Sequence, residues 1–490
     1  MNWKRAASWS AIALSALAVS SIAIALVLFH SEAFKNYLLE KIQQTASESL
    51  NTPVRMQNLG LHFSPLSADL YGVTVRGTEP GTEPPLLTID HIKIGITIIS
   101  IIRREWNLND IEVDHPIAHL LVNQQGENNL PSRQSAGTPQ TNLFDLAIQH
   151  ARLDRGELYY NDKKSIIDAD LRNLTFRSAY DGARGGHYQG TLSYRDGRLV
   201  YNHFAPMPHN LEAGFDATRS ALILNPAALS LAGSQFHLQA TVRNYSSPVV
   251  ELKFDSTIET GELRRILQNS DLPAGIVRLA GSAHYAYLPN RPLIESLSAE
   301  GEISSRWLLV QTSATRSEVR DATIRFQLRD GNLNLPKISL SVLGGELQGK
   351  ASIQDLAGRQ QGQISASWRG ISLESLQAML PSAAFDPVRF GGVIDVDTKA
   401  SWMGSLRNLV ADADATIHSS VASRGTTPAP ASQTVPLDGV IHARYAAKTQ
   451  QICLARSSLN TPQTTLTLDG VIGGRSSLQV ELQANALHEV

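Results

Sequence analysis

One apolar pattern occurs three times between Leu222 and the end of the chain, at intervals of 111 and then 119 residues. The first copy places Leu222, Leu224, Leu229, Phe236, Leu238, Ala240 and Val242 at fixed offsets. The second has Leu333, Leu335, Leu340, Leu347, Gly349, Ala351 and Ile353, and the third Ile452, Leu454, Leu459, Leu466, Leu468, Gly470 and Ile472. Apolar residues two apart share one face of a strand, so each copy is a set of strands with one greasy side. A unit repeated in this way fits an elongated sheet or solenoid better than a globular catalytic domain.

The β texture begins at Val54. In His91–Ile99 the residues Ile92, Ile94, Ile96 and Ile98 fall on one face, with His91, Lys93 and Thr97 on the other. Polar, Pro-containing stretches at Thr78–Pro85, Pro131–Asn142 and Gly425–Pro436 are expected to be loops. Turn signals every 8–12 residues predict about 35–45 strands between residues 54 and 485. At ~4.8 Å per strand, one continuous sheet of that kind is about 170–220 Å long. Short helices punctuate the repeats at Gly261–Leu267 and Leu373–Leu380, and Ala486–Val490 resembles the start of a third. The sequence is therefore expected to be a fragment of a longer repeat protein.

The other end of the chain sets its compartment. Lys4 and Arg5 precede Ala6–Phe29, 24 residues without a charge. As a helix this run is ~36 Å long, enough for a ~30 Å hydrocarbon core. It exceeds the usual core of a signal peptide, although Ala23-Ile24-Ala25 offers a cleavage-like pattern. An uncleaved transmembrane anchor is the expectation, with residues 1–30 forming the cytoplasmic N-terminus and the span. Positive charge before the span keeps the N-terminus cytoplasmic and places the bulk of the chain in the periplasm of a Gram-negative cell. Glu32–Leu50 follows as a helix with Phe34, Tyr37, Leu38, Leu39 and Ile42 on its apolar side, stopped by Asn51-Thr52-Pro53.

Motifs for chemistry are scarce. A formal charge of -2 gives no electrostatic case for nucleic acid. Cys453 is the only cysteine, which excludes an intrachain disulfide framework and a cysteine-based metal site. His115 and His119 have the i, i+4 spacing of zinc ligands on a helix, but Pro116 and the surrounding strand pattern oppose a helix there. Asp395, Asp397, Asp412 and Asp414 alternate with apolar or small residues, as on the wet face of an amphipathic strand. No nucleophile elbow is present. Neither a catalytic residue, a metal site nor a cofactor is predicted, and the greasy face remains as the functional candidate. On composition alone, the inner side of a closed β-sandwich is the favoured reading of that face.

Four stretches carry a resemblance to a known family. The anchor runs into a helix and then Thr52-Pro53-Val54-Arg55-Met56-Gln57-Asn58-Leu59. Pro116–Leu120 leads to Gly126-Glu127-Asn128-Asn129-Leu130-Pro131, and Ile148–Asp162 leads into Asp170–Leu174. Trp402-Met403-Gly404-Ser405-Leu406-Arg407-Asn408-Leu409 lies in a later repeat. In this order they resemble the AsmA-like superfamily, in particular the N-terminal part of TamB-type proteins with its chorein-like N-terminal module. The long remainder and C-terminal domain typical of that type are absent from this sequence.

The resemblance implies an all-β fold: a long, curved antiparallel sheet built from repeats, forming an open groove anchored in the inner membrane, with short interspersed helices. It implies a chorein-like module over 31–142 and a groove region over 143–490, in units near 143–260, 261–372 and 373–490. It implies a role in outer-membrane biogenesis, with phospholipids as cargo. The expected lining is Ile92, Ile94, Ile96 and Ile98 near the membrane, then Phe236, Leu238, Leu347, Leu466, Leu468, Leu478, Val480 and Leu482. The alternative is a periplasmic scaffold for outer-membrane proteins, acting through strand-edge pairing, with a barrel partner reached through the missing C-terminal region.

Overall fold

A computed structural model describes residues 31–485 apart from 64–65, 97–107, 132–143, 145–146, 183–185, 271, 312–315, 379–387, 424–433 and 475. The expected membrane span Ala6–Phe29, Ile98 and the expected helix start at Ala486–Val490 lie outside these residues. Among the described residues no helix is long and apolar enough to cross a membrane. The described chain is all-β, with 24 strands and a few short helices. It divides into two compact units, one ending at Arg219 and one beginning at Ser220.

Unit 1 opens with helix α1 (Glu32–Leu50), ended by Asn51 in the left-handed conformation at φ 50°, which Asn tolerates better than most residues. Nine strands follow: β1 (Val54–Arg55), β2 (Asn58–Phe63), β3 (Leu66–Val75), β4 (Leu87–Ile96), β5 (Leu108–Val122), β6 (His150–Asp162), β7 (Ile167–Asp181), β8 (His187–Tyr201) and β9 (Met207–Ala217). Strand β3 pairs with β1 and β2 and also with β4, and the order then follows the chain to β9. The i, i+4 stripe of α1, made of Leu38, Leu39, Ile42 and Ala46, packs against a buried cluster of Val54, Leu59, Leu70, Val73, Val75 and Ile89. Tyr37, expected on that apolar side, is 63% exposed, one step round the helix from the stripe.

One pair departs from the expected antiparallel ladder. Strands β5 and β6 run parallel, with Val113 opposite Leu153 and Leu120 opposite Tyr160. A parallel neighbour requires the chain to travel back before re-entering the sheet, through a connection of roughly a dozen residues or more. Residues 123–149 supply it. They begin with a turn closed by the Gly126 N–H to Asn123 O, after which the Asn129 N–H donates to Leu121 O.

Unit 1 also carries a buried imidazole. The His209 ring, on β9, has its Nδ1 2.9 Å from the Tyr194 hydroxyl of β8, and burial pushes its pKa below the ordinary histidine value. The unfolded chain takes up a proton near pH ~6.5 that the folded form resists, so stability is lost as pH falls through that value. Urea midpoints measured between about pH 7 and pH 5 are expected to drop in the parent and to drop less in His209→Gln.

Unit 2 is a meander of fifteen strands, each antiparallel to the next. Its first six are β10 (Ala221–Leu231), β11 (Ser234–Arg243), β12 (Val249–Glu259), β13 (Ala274–Ala286), β14 (Leu297–Gln311) and β15 (Arg316–Arg329). The next six are β16 (Asn332–Val342), β17 (Gly345–Gln354), β18 (Gln361–Ser372), β19 (Val388–Met403), β20 (Val410–Ser423) and β21 (Val435–Ala446). The described part ends with β22 (Gln451–Asn460), β23 (Thr464–Ile472) and β24 (Ser477–Ala484). The sheet stays open, since β10 and β24 do not pair. Helix α2 (Thr260–Ile266) follows β12, and α3 (Leu373–Gln377) follows β18 at the same place in the next set.

The repeat read from sequence is therefore a six-strand unit with a helix after its third strand. A β-bulge marks each copy at one offset: Leu224/Ala227 in β10, Leu335/Ile338 in β16 and Leu454/Ser457 in β22. These positions are again 111 and 119 residues apart. Exposure alternates identically along β11 and β17, residue for residue.

The described residues form 24 strands, against the expectation of about 35–45. The strands are long, up to 16 residues in β19, and many turn-like residues sit inside them. Asn225-Pro226 occupies the bulge of β10, Pro336 that of β16, and Asn173 an irregular stretch of β7 with φ 51°. A bulge absorbs such residues without ending the strand. The fifteen strands of unit 2 measure about 67 Å across the sheet at ~4.8 Å per spacing.

Candidate functional site

Cross-strand register puts the apolar residues of unit 2 on one face from β10 to β24. Leu238 lies between Ala227 and Phe254, Phe254 faces Gly281, Gly281 faces Gly301, and Gly301 faces Phe326. Phe236 lies between Leu229 and Ser256. Further along, Leu347 lies between Leu340 and Trp368, and Trp368 faces Val396. Leu466 lies between Leu459 and Leu482, Leu468 between Ser457 and Val480, and Leu478 opposite Gly470. The eight candidate residues of this unit thus share one surface.

That surface is not a closed core. Phe236, Leu238, Leu347, Leu466 and Leu468 are only half-buried, and Leu478, Val480 and Leu482 are 41%, 53% and 47% exposed. Among the described residues of unit 2, only seven hydrophobic residues are buried. Among the described residues, strands in unit 2 contact their sheet neighbours and α2 or α3, and the exposure of Leu478, Val480 and Leu482 shows that no second sheet covers them. The sandwich arrangement, in which two such faces bury each other, is not what this unit adopts.

The face is shaped as well as greasy. A hollow of about 510 Å³ lies between α3 and strands β16–β19, with Leu347, Trp368, Ile371, Leu376 and Val396 in its lining. In the row from β12 to β15, Phe254 and Phe326 flank the paired glycines Gly281 and Gly301. A Cβ on Gly281 would sit 2.9 Å from the Phe254 ring, and one on Gly301 would sit 2.9 Å from the Phe326 ring. Each ring tip reaches over a glycine, which covers bare backbone with carbon.

In unit 1, Ile92 sits between Leu70 and Val113, and Ile94 between Ala68 and Ile111. Both pack against the cluster that α1 covers. Ile96 pairs with Leu108 through the ladder.

The chain matches no family model and, at a significant level, no curated protein. What it can do is read from its own chemistry. The opposite face of unit 2 is polar and laced with ion pairs: Arg278 with Asp255 at 2.6 Å, Arg325 with Glu302 at 3.1 Å, and Arg369 with Asp397 at 2.8 Å. Such exposed pairs add little to stability, because water screens them, and serve mainly to wet the surface. The aspartates singled out by sequence all fall here. The Ser367 hydroxyl and the Arg369 guanidinium hold Asp397 below its ordinary pKa, Asp414 contacts His442 at 2.6 Å, and Asp412 lies 3.7 Å from Arg444. Asp395 accepts from the Gly370 N–H at 2.7 Å.

The two histidines examined as ligands part company. His115 Nδ1 meets Asp90 at 2.6 Å, while His119 stacks on Tyr159 with centroids 5.0 Å apart. Among the described residues no group of three His, Cys, Asp or Glu is placed to hold a metal ion. The residues that sequence reasoning passed over are the floor glycines Gly281 and Gly301 and the rings above them. Their signal was present in the alternation Leu252, Phe254, Ser256, but only the register shows that each ring covers a glycine.

Proposed function

We propose that this is an AsmA-like protein of the TamB type that carries phospholipids toward the outer membrane along the apolar face of its sheet. In this reading residues 6–29 anchor it in the inner membrane, the bulk lies in the periplasm, and it acts without catalysis. The observation that carries the proposal is the long apolar face of unit 2 that no second layer buries. Passing two acyl chains of about 16 carbons through water costs roughly 20–25 kcal/mol at ~0.8 kcal/mol per CH₂. A continuous apolar strip removes most of that barrier, and its non-directional contacts let the tails slide.

The test is native mass spectrometry with lipid extraction on residues 31–490. Several phospholipids retained per chain are expected. A folded, lipid-free, monodisperse protein would overturn the reading. The second reading, a scaffold that pairs with outer-membrane proteins, draws on β24. Among the described residues this strand has one neighbour, β23, and it presents Leu478, Val480 and Leu482 beside an unpaired edge. Capture of a barrel protein without lipid would favour it.

A further inference from the structure

The polar face of unit 2 has its own recess, beside the bulge of β16. Its volume is about 650 Å³, and it is lined by Ser352, Ser365, Ser401 and Gln363 together with Lys350, Lys399, Arg444 and one carboxylate, Asp412. Register fixes the arrangement: Lys350 on β17 faces Ser365 on β18, and Ser365 faces Lys399 on β19. The two lysine Cα atoms are thus two strand spacings apart, roughly 10 Å. Their flexible stems can bring both ammonium groups over the one hydroxyl between them.

On the same face Arg278, Arg325 and Arg369 are each matched with a carboxylate, whereas Lys350 and Lys399 make no ion pair among the described residues. The first repeat supplies an internal comparison, because it has a recess of about 590 Å³ at the equivalent bulge. Its row reads Gln239, Lys253, Ser282, Glu300, Gln327, and with Glu251 and Arg329 also in the lining its two cations are matched by two carboxylates. The second row reads Lys350, Ser365, Lys399, Asp412, Arg444, with three cations and one carboxylate. Two like charges flanking a hydroxyl repel each other unless an anion sits between them.

We propose that this recess is a phosphate-binding site. A phosphate over Ser365 would take charge-assisted bonds from both ammonium groups, with Arg444 adding charge nearby. The hydroxyls of Ser352 and Ser401 and the Gln363 amide offer further donors of the kind that hold a phosphorylated polyol or glycerol. The phosphate could belong to a soluble phosphoester or to a lipid headgroup. The site lies on the face opposite the apolar strip, so it does not depend on the lipid-carrying role.

The test uses the full chain in a non-ionic detergent. Calorimetric titration with inorganic phosphate and glycerol 3-phosphate probes the soluble source. Titration in the same detergent with dihexanoyl-phosphatidylglycerol, against dihexanoyl-phosphatidylcholine, probes the headgroup. Binding in either arm is expected to weaken about tenfold in K350Q/K399Q and with added salt, and to be unchanged in K253Q of the equivalent recess. All three lysines are exposed, and matching melting curves will establish that the variants remain folded. No saturable binding in either arm, binding retained by the double variant, or an equal loss in K253Q would overturn the site.

Discussion

Leu238→Asp is expected to yield a folded protein that has lost its bound lipid. Leu238 is half-buried on the apolar face, between Ala227 and Phe254. A carboxylate there stays hydrated while the strip is empty, but must shed water when an acyl chain lies over it. By analogy with charges in a bilayer, that opposes occupancy by about 3 kcal/mol, on the order of a hundredfold. Lipid per chain, read by extraction and native mass spectrometry, should fall accordingly while the melting curve moves little. Lipid retained by a folded variant would count against the strip as the path. If the variant unfolds instead, Val480→Asp decides. Val480 is 53% exposed on the same face and supports no core, so its substitution should thin the lipid without touching the fold.

Gly281→Val is expected to do the opposite, with stability as the casualty. A Cβ at Gly281 would lie 2.2 Å from the Glu300 carbonyl oxygen and 2.8 Å from the Gly301 Cα. Neither atom can give way without moving the backbone of β14, and the Phe254 ring must also leave its seat. Overpacking of this kind costs about 1–3 kcal/mol, and the backbone contact puts the expected loss at the upper end. The midpoint of urea unfolding should shift accordingly. His284→Val, on the exposed side of the same strand, is expected to change stability by less than about 0.5 kcal/mol. Equal shifts in the two variants would mean that the Gly281 floor is not tightly packed.

These two positions show where the sequence was informative. Leu238 was legible because its strand alternates with exposed Gln235, His237 and Gln239, and period-two patterning is a local property. The offset of 111 residues carried the same inference to Leu347 and Gly349. The α1 helix was legible over Glu32–Leu50, because Asn51-Thr52-Pro53 stops it. The number of strands was not legible, since Asn225-Pro226 and Pro336 look like turns until their neighbours show them absorbed in bulges. Nor was the parallel entry of β6 beside β5, which depends on where residues 123–149 return the chain. The recess at Lys350 and Lys399 was hidden for a related reason: residues 49 apart in sequence become neighbours only across three strands.

The meander of unit 2 has a further consequence for how such a chain can change over evolutionary time. Every strand there bonds only to the strands before and after it, and the bulges recur at matched offsets. Duplicating or excising one six-strand set would therefore re-create a single junction and leave all other ladders as they were. Each such event would lengthen or shorten the sheet by roughly 29 Å. Its reach is quantised, like a ruler made of interchangeable segments, and relatives of this chain should differ in span by whole segments.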